Sequence, residues 1–151
     1  SYGGTLAARA RLLLEIVRAI RLAHPGLLLA VRVPGQDHLE GGLTREDTLQ
    51  VSRWLQEEGV DLIDVSSGLG GWRRPRNRQG EGYLVEEAQA IQAGVRLPTI
   101  GVGGIETGGY IDQILRAGSV QLAAVGRAIL KDPERFRSEV LTTSAACNSR
   151  R

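Results

Sequence analysis

Four times in succession an amphipathic helical stripe is followed by a short apolar run, and that alternation is the strongest constraint on the fold. Thr5 can cap a first helix whose apolar positions, Leu6, Ala10, Leu13, Leu14, Val17 and Ile20, recur every three or four residues. His24-Pro25-Gly26 stops it. Residues 28–33 then form a nearly continuous apolar run, the pattern of a strand buried on both faces of a parallel sheet. Thr44, followed by Glu46 and Asp47, opens a second helix carrying Leu49, Val51, Trp54 and Leu55, and residues 60–65 read as the second strand. After a long loop, Leu84, Val85, Ala88 and Ile91 mark a third helix and residues 98–102 a third strand. Tyr110, Ile111, Ile114 and Leu115 mark a fourth helix, followed by a strand over 120–125. Asp132-Pro133 has the form of a cap with proline at the first helical position. Residues 142–151 are small and polar and read as a frayed tail, so residues 1–141 are expected to form one domain.

Strands separated by helices must run parallel. A closed (β/α)8 barrel takes about 250 residues, and this chain has 151. The fold class is therefore α/β, as either a small open sheet or half of a TIM barrel. Composition removes other classes. A single cysteine, Cys147, allows no disulfide framework and no cysteine-based zinc cluster. No apolar run approaches the roughly 20 residues of a membrane span. The net charge is +2 and its basic part is almost all arginine, Lys131 being the only lysine, which is too small an excess to point to nucleic acid. The start, Ser1-Tyr2-Gly3-Gly4, has no methionine, charged segment or apolar signal core, so the beginning is expected to be missing or removed, and the location cytoplasmic.

In either architecture ligands gather at the carboxyl ends of the strands. Those ends carry Asp37, Ser66-Ser67-Gly68, Gly103-Gly104 and Gly126-Arg127. Glycine lets the main chain approach a ligand closely, and amides exposed beside a helix start bind phosphate. The two glycine turns are neither a GxGxxG nor a P-loop pattern, so they point to phosphate without specifying a Rossmann or P-loop site. The bland alternative is that they only make tight turns. His24 and His38 lack paired spacing, and no metal site is expected. Asp61 and Asp64 flank the core of the second strand, Tyr83 and Tyr110 read as packing or rim residues, and residues 72–78 form a basic loop.

Residues 2–11, YGGTLAARAR, resemble the YGGS-x-ENR-x-RF signature of the old yellow enzyme family, FMN-dependent NAD(P)H:flavin oxidoreductases or ene-reductases. AVRV at 30–33, EGGLT at 40–44, IDVSSG at 63–68, PTIGVGGI at 98–105 and AVGRA at 124–128 resemble, in order, that family's fifth to eighth barrel strands and their loops. The resemblance implies the C-terminal half of an FMN-binding TIM barrel. It implies that Gly103 and Gly126 offer main-chain amides to the FMN phosphate, that Gly104 flanks them, that Arg127 contacts the phosphate, and that Arg9 reaches the flavin's pyrimidine edge. Ala7 and Ala8 stand where the signature has glutamate and asparagine. The implied reaction passes hydride from NAD(P)H to FMN and then to an activated alkene such as an enone. The resemblance further implies that the residues that polarise the acceptor belong to the other half of the barrel, so no catalytic residue is assigned here and the fragment is expected to be inactive alone. Two other readings stay open: a non-catalytic half-barrel or phosphate-binding module that self-associates, and a different phosphate-binding barrel enzyme. A half-barrel is expected to expose two sheet edges and an apolar inner face.

Overall fold

The computed structural model describes residues 1–68, 74 and 78–148, the last six by their backbone. Trp72, Arg73, Pro75, Arg76 and Asn77 of the basic loop, and the side chain of Cys147, lie outside the described residues. The chain runs α1 (Leu6–Ala23), β1 (Ala30–Pro34), α2 (Arg45–Glu57), β2 (Leu62–Ser66), α3 (Val85–Gly94), β3 (Thr99–Gly101), α4 (Gly108–Arg116), β4 (Leu122–Ala123), α5 (Arg127–Lys131) and α6 (Pro133–Asn148).

Local chemistry sets the helix starts. The Thr5 hydroxyl accepts the Ala8 N–H, and Thr44 and Asp47 exchange side-chain and main-chain bonds in a reciprocal capping box. Asp132 accepts the Arg135 N–H at 3.0 Å ahead of Pro133, which loses no helical bond at that position. From there α6 continues past Leu141 to Asn148, through the stretch whose composition suggested fraying. Thr142 bonds back to the Ser138 carbonyl at 2.8 Å, so its hydroxyl is satisfied within the helix.

The sheet is parallel with the order β1-β2-β3-β4. A doubly wound sheet reverses direction at a switch point; this one never does. Of the two architectures open from the sequence, the strands therefore adopt the sequential order of a half-barrel. Start pairs with start and end with end between α1 and α2, through Arg9–Asp47 and Arg18–Glu58, so these helices run side by side in the same sense. Their N-termini lie at the carboxyl end of the strands, because each helix must return the chain to the other end.

The core lies between sheet and helices. Val31, Val33, Ile63, Val65 and Thr99 of the strands meet Val17, Leu55, Ala88, Ile91 and Ile114 of the helices. The opposite face is uncovered, which corrects the expectation of strands buried on both sides. β1 alternates, with Val31 and Val33 buried but Ala30 and Arg32 exposed. Nor is that face uniformly apolar. Register places Arg32, Asp64, Ile100 and Leu122 in one row across it, and Arg32 forms an ion pair with Asp64. β4 has only two residues where the sequence suggested six, and α5 was not anticipated.

Candidate functional site

An open cleft of about 460 Å³ lies at the carboxyl ends of all four strands. Its wall includes Arg32 from β1, Ser66 and Ser67 after β2, Gly103 and Gly104 after β3, and Gly126 and Arg127 after β4. The two glycine turns, 23 residues apart in sequence, thus face one space. Arg9 is not part of it. Its guanidinium, on the first turns of α1, pairs with Asp47 at 3.8 Å.

The β3 turn needs its glycines. Gly103 has φ 123° and Gly104 φ 63°, both in the region that side chains disfavour. A Cβ at Gly103 would stand 2.8 Å from the Leu84 nitrogen. Gly126 differs: its φ is −116°, open to any residue, and a Cβ there would meet nothing among the described residues within 4 Å. Among the described residues nothing requires glycine at 126, whereas a ligand seated against the main chain would.

Among the described residues, none accepts a hydrogen bond from the N–H of Gly103, Gly104 or Gly126. The neighbouring helix start is closed. Glu81 accepts the N–H groups of Glu106 (2.6 Å) and Thr107 (2.8 Å) and the Thr107 hydroxyl (2.7 Å), and Glu139 accepts the Gly108 N–H at 3.1 Å. Burial alone would raise the Glu81 carboxyl, but those donors outweigh it and hold the group below its ordinary range. An anion entering the cleft therefore meets the glycine turns rather than the start of α4.

Cations surround these amides. Arg127 is exposed and reaches the Tyr83 hydroxyl at 3.4 Å. Arg74 lies over the Tyr83 ring, 5.0 Å from its centroid. Arg32 is held by Asp64 and by the Ser66 hydroxyl at 2.8 Å. Among the described residues Glu106 is the single carboxylate on the wall. Arg32 was not singled out from the sequence. Its signal was a lone charge inside an apolar run, which alternation would have assigned to the uncovered face.

The remaining candidates have structural roles. Asp61 accepts the Leu29 N–H and pairs with Arg21; those bonds, the Leu29 one foremost, hold its carboxyl low. His24 caps the end of α1, and His38 lies 3.9 Å from Glu87. Arg78, from the basic loop, is bound to Glu87 and to the Tyr83 carbonyl, so it does not stand free to grip a phosphate. Asp37 is buried and accepts the Leu43 N–H.

Known proteins bear on this geometry. The family model described as NADH:flavin oxidoreductase / NADH oxidase matches residues 1–139. An NADPH dehydrogenase of Bacillus pumilus (strain SAFR-032) is 39% identical over 145 residues, which are 95% of this chain and 42% of the relative. The chain thus spans less than half the length of that relative. Among solved structures, histamine dehydrogenase from Rhizobium sp. 4-9 superposes with a TM-score of 0.74 at 21% identity, over 93% of this chain and 21% of the other. Morphinone reductase in complex with tetrahydroNAD gives 0.63 at 22% identity, over 92% of this chain and 36% of the other. These likenesses carry the fold, the C-terminal half of a TIM barrel. With the family match covering nearly the whole chain, the chain belongs to the NADH:flavin oxidoreductase / NADH oxidase family, the family of the old yellow enzymes.

Proposed function

We propose that the cleft holds the phosphate end of FMN, and that the chain contributes this half-site to an NAD(P)H oxidoreductase of the old yellow enzyme type whose acceptor is an activated alkene such as an enone. The observation that carries this reading is the convergence of Gly103-Gly104 and Gly126-Arg127 on one cleft, with unengaged amides and an exposed guanidinium. The fit to FMN is supported by Gly126, a glycine that nothing among the described residues demands.

When bound, FMN supplies the hydride chemistry between nicotinamide and alkene. The chain's own residues bind and orient. Amides of Gly103, Gly104 and Gly126 donate to phosphate oxygens, and Arg127 adds a fixed positive charge. Arg9 was assigned to the negative edge of the reduced flavin by resemblance. Arg32 lines the cleft, as Arg127 does at its phosphate end, while Arg9 pairs with Asp47, so the geometry favours Arg32 for that duty. Its anchoring by Asp64 and Ser66 fixes its direction in advance.

Titration of the purified chain with FMN, followed by flavin fluorescence, tests the reading. Weak saturable binding that inorganic phosphate competes away, with little or no enone reduction, is expected. Absence of any binding would sink the cofactor assignment; full reduction rates would overturn the claim that the catalytic groups lie elsewhere.

A further inference from the structure

Outside the cleft, the most unusual group is Glu87, a carboxylate with no exposed surface in the first turn of α3. It accepts hydrogen bonds from Arg78 and from Gln36 at 2.9 Å, while Arg45 and His38 each stand 3.9 Å away. Burial alone would raise its carboxyl; the bonds from Arg78 and Gln36 outweigh that and hold it below the ordinary range. An ionised carboxylate is costly to bury unless it is paired and hydrogen-bonded. Its charged partner is Arg78, whose guanidinium also donates to the Tyr83 carbonyl at 2.9 Å, so the pair ties α3 to Tyr83.

Tyr83 connects that network to the cleft at three points. Its N–H donates to the Gly103 carbonyl at 3.0 Å. Its hydroxyl receives Arg127, and its ring carries Arg74. The peptide bond is planar and trans, so binding the Gly103 carbonyl toward Tyr83 turns the Gly104 N–H the opposite way. One residue thereby sets the direction of an amide on one cleft turn and the position of the cation on the other.

We propose that Tyr83 is a positioning residue for the anion site and that buried Glu87, acting through Arg78, holds it in place. This rests on the cleft being an FMN phosphate site, and it adds that affinity there is set by a carboxylate outside the cleft wall. Glu87→Gln keeps the side chain's shape and removes its charge; Tyr83→Phe keeps the ring and removes the hydroxyl. Val17→Ala is the control, because it weakens the α1 packing away from the cleft. FMN binding is expected to weaken about tenfold in Glu87→Gln and about threefold in Tyr83→Phe, and not to change in Val17→Ala. Amide hydrogen exchange on the ligand-free chain supplies a second readout, with faster exchange at residues 103–105 in Glu87→Gln than in the control. Unchanged FMN affinity in both variants, or unchanged exchange at 103–105, overturns the proposal. Accelerated exchange in a chain that binds no FMN would sink the cofactor reading while upholding the positioning role.

Discussion

At the scale of single residues, glycines on the same cleft do different work. Gly103 and Gly104 are required by the chain itself, through positive φ and the close approach of Leu84 and Tyr83. Gly126 is not. Gly103→Ala is therefore expected to lower the melting temperature, whereas Gly126→Val should unfold at the parent temperature yet bind FMN at least about tenfold more weakly; calorimetry with a fluorescence titration separates the two effects. Normal FMN affinity in Gly126→Val would contradict close main-chain contact there. The guanidiniums separate in the same way. Arg32→Ala should weaken flavin binding more than Arg9→Ala, since of these two Arg32 borders the cleft and Arg9 does not. Sequence reading found the glycines and Arg127 because a turn after a strand leaves a local mark. It missed Arg32 because direction along a strand depends on which face the helices cover. It missed Glu87 because adjacent acids in a first helical turn look like dipole partners, although position 87 falls on the stripe with Leu84, Ala88 and Ile91.

At the scale of elements, the caps were the most legible feature. Thr5, Thr44 with Asp47, and Asp132 with Pro133 act within four residues of themselves, so no tertiary information is needed. Thr44→Ala is expected to cost about 1 kcal/mol, read from denaturant unfolding. Strand length was not legible. Leu122 and Ala123 are the residues in register with β3, with Gln121 and Ala124 donating to it from either side, although the apolar run is longer, because pairing needs a partner and β3 itself has three residues. α5, at five residues, is too short to show a helical period. Two carboxylates tie elements together. Glu81 closes the start of α4, and Glu87 joins α3 to the loops after β1 and β2. Both have carboxyls depressed in the folded chain, so their stabilisation is complete above the unfolded value of about 4.3 and is lost as pH falls through the lower folded values. Stability should thus fall steeply below about pH 4. Glu87→Gln should flatten that acid limb of a melting-temperature profile, and an unaltered limb would deny the linkage.

At the scale of the whole molecule, the helix–strand alternation is compatible with two architectures, and the strand order chooses between them. An unreversed β1-β2-β3-β4 sheet with one face uncovered is half of a barrel. Among the described residues no helix is long and apolar enough to cross a membrane. The uncovered face carries Arg32 and Asp64 beside Ile100 and Leu122, the last 46% exposed. A mixed face of this kind suits enclosure by further strands better than permanent contact with water. Sedimentation should show association that grows with concentration, and a strictly monomeric chain at all concentrations would count against an unfilled half-barrel.

The two rims of the sheet are unequal, five residues in β1 against two in β4. Were two such halves to meet and shut a ring, each seam would join a long rim to a stub. Few main-chain bonds could zip either seam, so the closure would hang on interior side chains and crowning loops, and the ring would come apart at these two seams before anywhere else.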